Sequence, residues 1–330
     1  MRLLKIWISF CSILFIGNIA VAQQQEHFSM YMQDNYIINP AEGGTEDFTD
    51  LKAGYRTQWL NYGAGNAGGP KTFFLSGHTP IGKHETDIAD VKQLPFHGVG
   101  GVFIADNIGP FSVISAKSGY AYHLPVYKDL IISLGTFVGV KQYGISDNYL
   151  QSSSDPSAVD PLLNFKPTIV PDMTIGLWGY SKSYYFGFAS FQIVNSDIEF
   201  YKDLDQGTSE DAKARLRAHH WLTAGYKVDI NENWFVVPSF VFKFVRNAPV
   251  TFDLNAKIRF QDEFWVGGSY RYLDAVVLLA GLTLFKKIDL GYAYDITTSE
   301  VGEFSSGSHE IVIGYRLPNH QHKRPPAQFW

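Results

Sequence analysis

Thr251-Phe252-Asp253-Leu254-Asn255-Ala256-Lys257-Ile258-Arg259-Phe260 is the stretch whose reading decides the fold. Phe252, Leu254, Ala256, Ile258 and Phe260 fall on one face of an extended chain, and Thr251, Asp253, Asn255, Lys257 and Arg259 on the other. Successive side chains of a strand point to opposite sides, so one side of this segment is apolar and the other charged. The same alternation recurs from Leu51 to Leu317. It predicts an all-β fold: a transmembrane antiparallel β-barrel with hydrocarbon outside and polar groups inside.

Fourteen strands are expected, near 51–62, 71–81, 97–106, 112–124, 130–143, 172–181, 183–194, 216–229, 234–246, 250–260, 264–273, 276–285, 288–297 and 308–317. An even number brings both ends of the wall to one side, the periplasm. Turns there should be short, as at Ser181-Lys182, Asn231-Glu232-Asn233, Gln261-Asp262 and Lys286-Lys287. The long connections 144–171, 195–215 and 298–307 then fall outside the cell. The stretch 82–96 is the exception: it is long on the periplasmic side, which suits contact with a partner. Aromatic residues gather toward strand ends, among them Trp59, Tyr62, Tyr180, Trp234 and Tyr272, as amphipathic rings do at the headgroup level. A soluble sandwich or propeller would use them as core, but no repeat of propeller length is present.

The first 22 residues read as a secretory signal: Arg2 and Lys5, an apolar run from Ile6 to Val21, and Ala20-Val21-Ala22 before Gln23. The one cysteine, Cys11, lies within it. The mature chain then carries no thiol for a disulfide, a zinc-cysteine site or a nucleophile. Removing Arg2 and Lys5 from the 27 basic residues leaves 25 against 32 acidic ones, which argues against nucleic acid as a partner. Nothing after Ala22 is apolar for long enough to form a spanning helix.

Residues 23–50 show no alternation. They form an N-terminal segment with turns at Asn39-Pro40 and Gly43-Gly44 that either plugs the barrel or lies beneath it. The tail 318–330, PNHQHKRPPAQFW, cannot join a membrane strand and is expected in the periplasm. It is either a disordered end or a docking peptide contacting a partner through Lys323, Arg324, Phe329 and Trp330. The inward charges Lys52, Arg56, Asp253, Lys257, Arg259, Arg271, Asp289, Asp295, Glu310 and Arg316 mix both signs. That mixture suits cross-lumen pairing more than a selective constriction, where one sign is expected. Arg56 and Glu310 lie on the first and last strands, which are neighbours in a closed barrel.

Catalytic and metal chemistry finds little footing. Ser76 and His78 share one strand face without a nucleophile elbow. His219 and His220 are adjacent and so point to opposite faces, unlike a metal pair. Asp203-x-Asp205-x-Gly207 has neither the spacing nor the closing glutamate of a calcium loop. No cofactor or metal is expected, and no enzyme activity.

Several stretches resemble the PorP/SprF family of outer-membrane proteins of the Bacteroidota type IX secretion system. They are FSMYMQDNYIINPAEGG at 28–44, YRTQW at 55–59, Asp253-Leu254-Asn255, Gly268-Ser269-Tyr270-Arg271, Gly291-Tyr292-Ala293-Tyr294-Asp295-Ile296 and Ser306-Gly307-Ser308-His309-Glu310-Ile311. The resemblance implies a barrel in the outer-membrane lipid that supports secretion or surface attachment of a large protein such as a gliding adhesin. It would bind that protein's C-terminal sorting domain and the secretion machinery. On this reading the long outer loops 144–171 and 195–215 face the cargo. Tyr31, Asn39 and Pro40, with the tail, form a periplasmic partner surface. The alternatives are an outer-membrane channel for small solutes and a lipid-active enzyme.

Overall fold

The computed structural model describes residues 26–62, 69–83, 94–127, 129–145, 167–199, 213–261 and 263–318. The expected signal at 1–22 lies outside them, as do most of the 82–96, 144–171 and 195–215 connections and the tail with Lys323, Arg324, Phe329 and Trp330.

Seventeen strands are present among the described residues. They are β1 (Phe48–Thr57), β2 (Lys71–Ile81), β3 (Phe96–Ile108), β4 (Phe111–Tyr127), β5 (Leu130–Ile145), β6 (Thr168–Tyr180), β7 (Tyr184–Phe191), β8 (Asp197–Glu199), β9 (Lys213–Arg215), β10 (His219–Tyr226), β11 (Val228–Asp229), β12 (Trp234–Val245), β13 (Thr251–Phe260), β14 (Phe264–Arg271), β15 (Ala275–Leu284), β16 (Ile288–Thr297) and β17 (Ser308–Pro318). β8 and β9 pair only with each other. β11 continues β10 along β12. The ladder pauses between them, opposite Val237 and Pro238, where proline has no N–H to donate. The remaining strands pair antiparallel in chain order, and β1 pairs with β17 from Phe48↔Pro318 to Thr57↔His309. The result is a closed wall of fourteen strands, the expected number, with no unpaired edge.

The alternation maps onto this wall as predicted. In β13, Asp253 is 0% exposed and its neighbour Leu254 is 49% exposed. Leu75, Leu278, Ile311 and Ile313 face outward, and Lys52, Arg56, Lys257 and Arg271 are buried inside. Boundaries shift by a few residues at several strands, among them β4, β6 and β7, and two of the shifts have a local backbone cause. β1 ends at Thr57, because Trp59 and Asn61 take left-handed backbone angles (φ 51° and 66°) that break the extended chain. The β15–β16 turn centres on Phe285 and Lys286, one residue before the expected Lys286-Lys287, and both have positive φ as tight hairpins with right-handed twist require.

The N-terminal segment fills the lumen. It enters at the end of the barrel that holds both wall termini, makes 3₁₀ turns at Asn35–Ile37 and Pro40–Glu42, and reaches toward the opposite end. There Glu26 pairs with Lys141 of β5 at 2.8 Å. Met30, Tyr31, Met32, Tyr36, Ile37 and Ile38 pack against inward apolar residues of the wall, including Phe74, Phe137, Trp221, Trp265 and Val277. Residues 28–46 are thus enclosed by the wall rather than lying beneath it. No helix among the described residues is long and apolar enough to cross a membrane.

Candidate functional site

The site is the seat of the N-terminal segment, and it is built in two layers. In the outer layer one serine gathers four charged side chains. Ser29 N–H donates to Glu310 Oε2 (2.6 Å), and the next amide, Met30, donates to Glu310 Oε1 (3.2 Å). Ser29 Oγ donates to Asp295 (2.8 Å) and accepts from Arg56 Nη1 (2.7 Å) and Arg271 Nη2 (3.1 Å). The charges also pair with one another: Arg56 with Asp295 (2.7 Å) and Glu310 (3.2 Å), and Arg271 with Asp295 (3.3 Å) and Asp274 (3.0 Å). Asp253 accepts from Lys243 at 2.8 Å at the edge of this group. Buried ions require such partners, because an uncompensated charge out of water costs several kcal/mol.

Nearer the termini the segment is held through backbone and neutral groups. Asn39 Oδ1 accepts the Ala41 N–H (3.0 Å), and its Nδ2 donates to the carbonyls of Leu177 (3.0 Å) and Phe188 (3.3 Å) on β6 and β7. His123 Nε2 donates to Gly43 O (2.8 Å), and Gly44 N–H donates to His78 Nδ1 (3.1 Å). Ser76 donates to Asp34, and Asn255 Nδ2 donates to the Tyr31 hydroxyl (2.6 Å). The segment lies so close to the wall that several inward glycines leave no room for a Cβ. A Cβ on Gly98 would lie 1.8 Å from Gly43 O, and one on Gly176 would lie 2.0 Å from Asn39 Oδ1. Burial pushes the carboxyl of Glu42 well above its ordinary range. Burial, with the neighbouring Asp50 charge, pushes Glu46 up to about 7.

Arg56, Arg271, Asp295 and Glu310 meet at Ser29, with Asp253 adjoining. Arg316 pairs with Asp289 (2.5 Å) near the other end. Lys257 lies over the Trp265 ring, 5.6 Å from its centre, and Arg259 Nε donates to Gln261 O. Lys52 pairs with Asp50. Tyr31, Asn39 and Pro40, expected on a periplasmic surface, are instead buried in the lumen, where they touch this chain's own wall. Their mix of apolar and amide groups suits a packed interior as well as an interface, so the sequence pattern alone does not separate the two. Ser76 and His78 are committed to Asp34 and Gly44 rather than to each other. Sequence reading missed Ser29 as the hub, along with Lys243 and Asp274. Its signal was present: Ser29 stands in the first family-like stretch, and Arg56, Arg271, Asp295 and Glu310 stand in four others. Among the described residues no cluster of three or more potential metal ligands occurs.

The family model described as "Type IX secretion system membrane protein PorP/SprF" matches residues 20–315. No curated protein matches the chain. Among solved structures, the CymD monoaromatic hydrocarbon channel aligns with a TM-score of 0.47 and 11% identity over 92% of this chain and 96% of that one. A Pseudomonas aeruginosa FadL homologue aligns with a TM-score of 0.45 and 12% identity over 86% and 93%. Omp33 of Acinetobacter baumannii aligns with a TM-score of 0.41 and 8% identity over 83% and 100%.

Proposed function

This chain belongs to the PorP/SprF family of type IX secretion system membrane proteins, and from that membership we propose that it supports secretion and surface attachment of one cognate large protein. It lies in the outer membrane as a closed barrel. In this reading it binds the C-terminal sorting domain of a secreted surface protein, such as a gliding adhesin, at its outer rim. It meets the secretion machinery at its periplasmic end, with no catalytic step of its own.

One observation carries the choice of a binding role over a small-solute channel: the lumen is occupied by the chain's own residues 28–46, bonded to the wall on many sides. A solute path needs open space lined by polar groups. Here Arg56, Arg271, Asp295 and Glu310 are spent on one another and on Ser29. The tail residues Lys323, Arg324, Phe329 and Trp330 are assigned to the machinery side, and normal cargo secretion after deletion of 318–330 would remove them from it.

The test is deletion of the gene. Loss of one large protein from the cell surface, with other secretion intact, supports a cargo-specific role. Loss of all type IX secretion makes the barrel a core component. An unchanged set of surface proteins refutes the reading.

A further inference from the structure

Three connections at the outer rim are tied into one shelf. The β1–β2 connection meets the β16–β17 connection through main-chain bonds: Leu60 N–H donates to Gly307 O (2.7 Å), and Ser306 N–H donates to Leu60 O (2.8 Å). Trp59 N–H donates to Ser308 Oγ (3.0 Å), and Asn61 Nδ2 donates to Ser306 Oγ (3.0 Å). The β14–β15 turn joins on the other side, where Thr298 and Ser299 both donate to Asp274 O (2.8 and 3.4 Å). Short 3₁₀ structure at Glu300–Phe304 lies between these ties.

The shelf carries exposed apolar side chains beyond the ends of the strands. Leu273 and Phe304 are 69% and 68% exposed, and Leu60 and Tyr62 are exposed as well. Leu273 sits at a left-handed φ of 60°, a strained setting for a branched side chain at the tip of a turn. Glu300 and Glu303 are exposed beside them, and residues 58–62, 272–274 and 298–307 contain no Lys or Arg. An anionic lipid surface would meet these carboxylates with like charge. A protein patch with an apolar centre and a basic rim complements them. Because main-chain bonds already hold the loops, little ordering remains to be done on binding.

We propose that this shelf is the docking platform for the cognate secreted protein, with Leu60, Tyr62, Leu273 and Phe304 taking its apolar centre and Glu300 and Glu303 its basic rim. This platform rests on the cargo-binding role proposed for the barrel.

The test uses the full-length protein in its own bacterium. The gene deletion first identifies the cargo by what leaves the surface. A Leu60→Glu/Phe304→Glu variant that still migrates as a folded, heat-modifiable barrel should then lose that protein from the surface by about tenfold or more. A Glu300→Lys/Glu303→Lys variant tests the rim without touching apolar groups and should show a several-fold loss. Thr298→Cys, at an exposed shelf position outside the proposed contacts, supplies a readout that leaves them in place, and the only native cysteine, Cys11, lies in the expected signal. An impermeant maleimide on intact cells should label it several-fold faster when the cargo gene is absent. Wild-type retention by the folded variants, or equal labelling with and without cargo, overturns the platform while leaving the cargo role standing. A gene deletion that strips no protein overturns both.

Discussion

Arg56 and Glu310 face each other across the seam where the first and last strands meet, Nη1 to Oε2 at 3.2 Å. Both also bond Ser29 of the N-terminal segment, Arg56 through its guanidinium and Glu310 through its carboxylate. Closing the wall and seating the plug therefore depend on the same pair. A β-barrel whose ends have not met has no complete Ser29 site, so the plug is expected to seat after closure.

Removing one partner tests that coupling. Glu310→Ala removes one of the two carboxylates paired with Arg56 and frees the amides of Ser29 and Met30. Breaking a buried pair in this way costs about 3–5 kcal/mol. Equilibrium unfolding in urea should show that loss, and proteolysis should reach the segment 26–46 in the folded variant.

Close approach of backbone to wall makes a second prediction. Gly98→Val places side-chain atoms where Gly43 O now lies. The barrel should still form, since β3 keeps its ladders to β2 and β4. The plug should no longer seat, and hydrogen exchange of residues 39–46 should rise while that of β3 and β4 stays unchanged.

Acidity should tighten the seat. The Glu46 carboxyl titrates near 7 in the folded protein, against an ordinary value of 4.5, because it is buried beside Asp50. A raised folded value means the protonated form is favoured by folding. The stabilisation is complete below about pH 4.5 and is lost as pH rises through about 7. The unfolding midpoint should therefore be higher at pH 5 than at pH 8, and Glu46→Gln should flatten the difference.

The outer face makes the fourth prediction. Leu254 points into hydrocarbon, so Leu254→Arg should destabilise the barrel by about 2–4 kcal/mol in lipid if it lies near the midplane, and less near the rim. The same change in detergent should be milder.

The wall was legible because its signal is local. Each strand alternates by itself, as 251–260 does, and closure follows from an even count. Even the Arg56–Glu310 pair could be anticipated, since the first and last strands of a barrel must be neighbours. The plug was not legible in the same way. Tyr31, Asn39 and Pro40 carry no periodicity, and what buries them is contact with strands distant in the chain, such as Asn39 with Leu177 and Phe188. The hub at Ser29 brings together residues from five separated stretches, and nothing in the spacing of 29, 56, 271, 295 and 310 announces a meeting point. Trp59 and Leu60 misled for a local reason: they continue the aromatic and apolar run of β1, but the chain has already turned left-handed at Trp59.

The wall is sealed, and its interior is closed by the chain's own N-terminal segment. Single-channel recording in a planar bilayer tests this closure most directly, with the mature full-length protein beside a form lacking residues 26–46. The full-length barrel should pass no steady current, and the truncated one should show stable ohmic steps. Steady conductance through the full-length protein, equal to that of the truncated form, would contradict the closure.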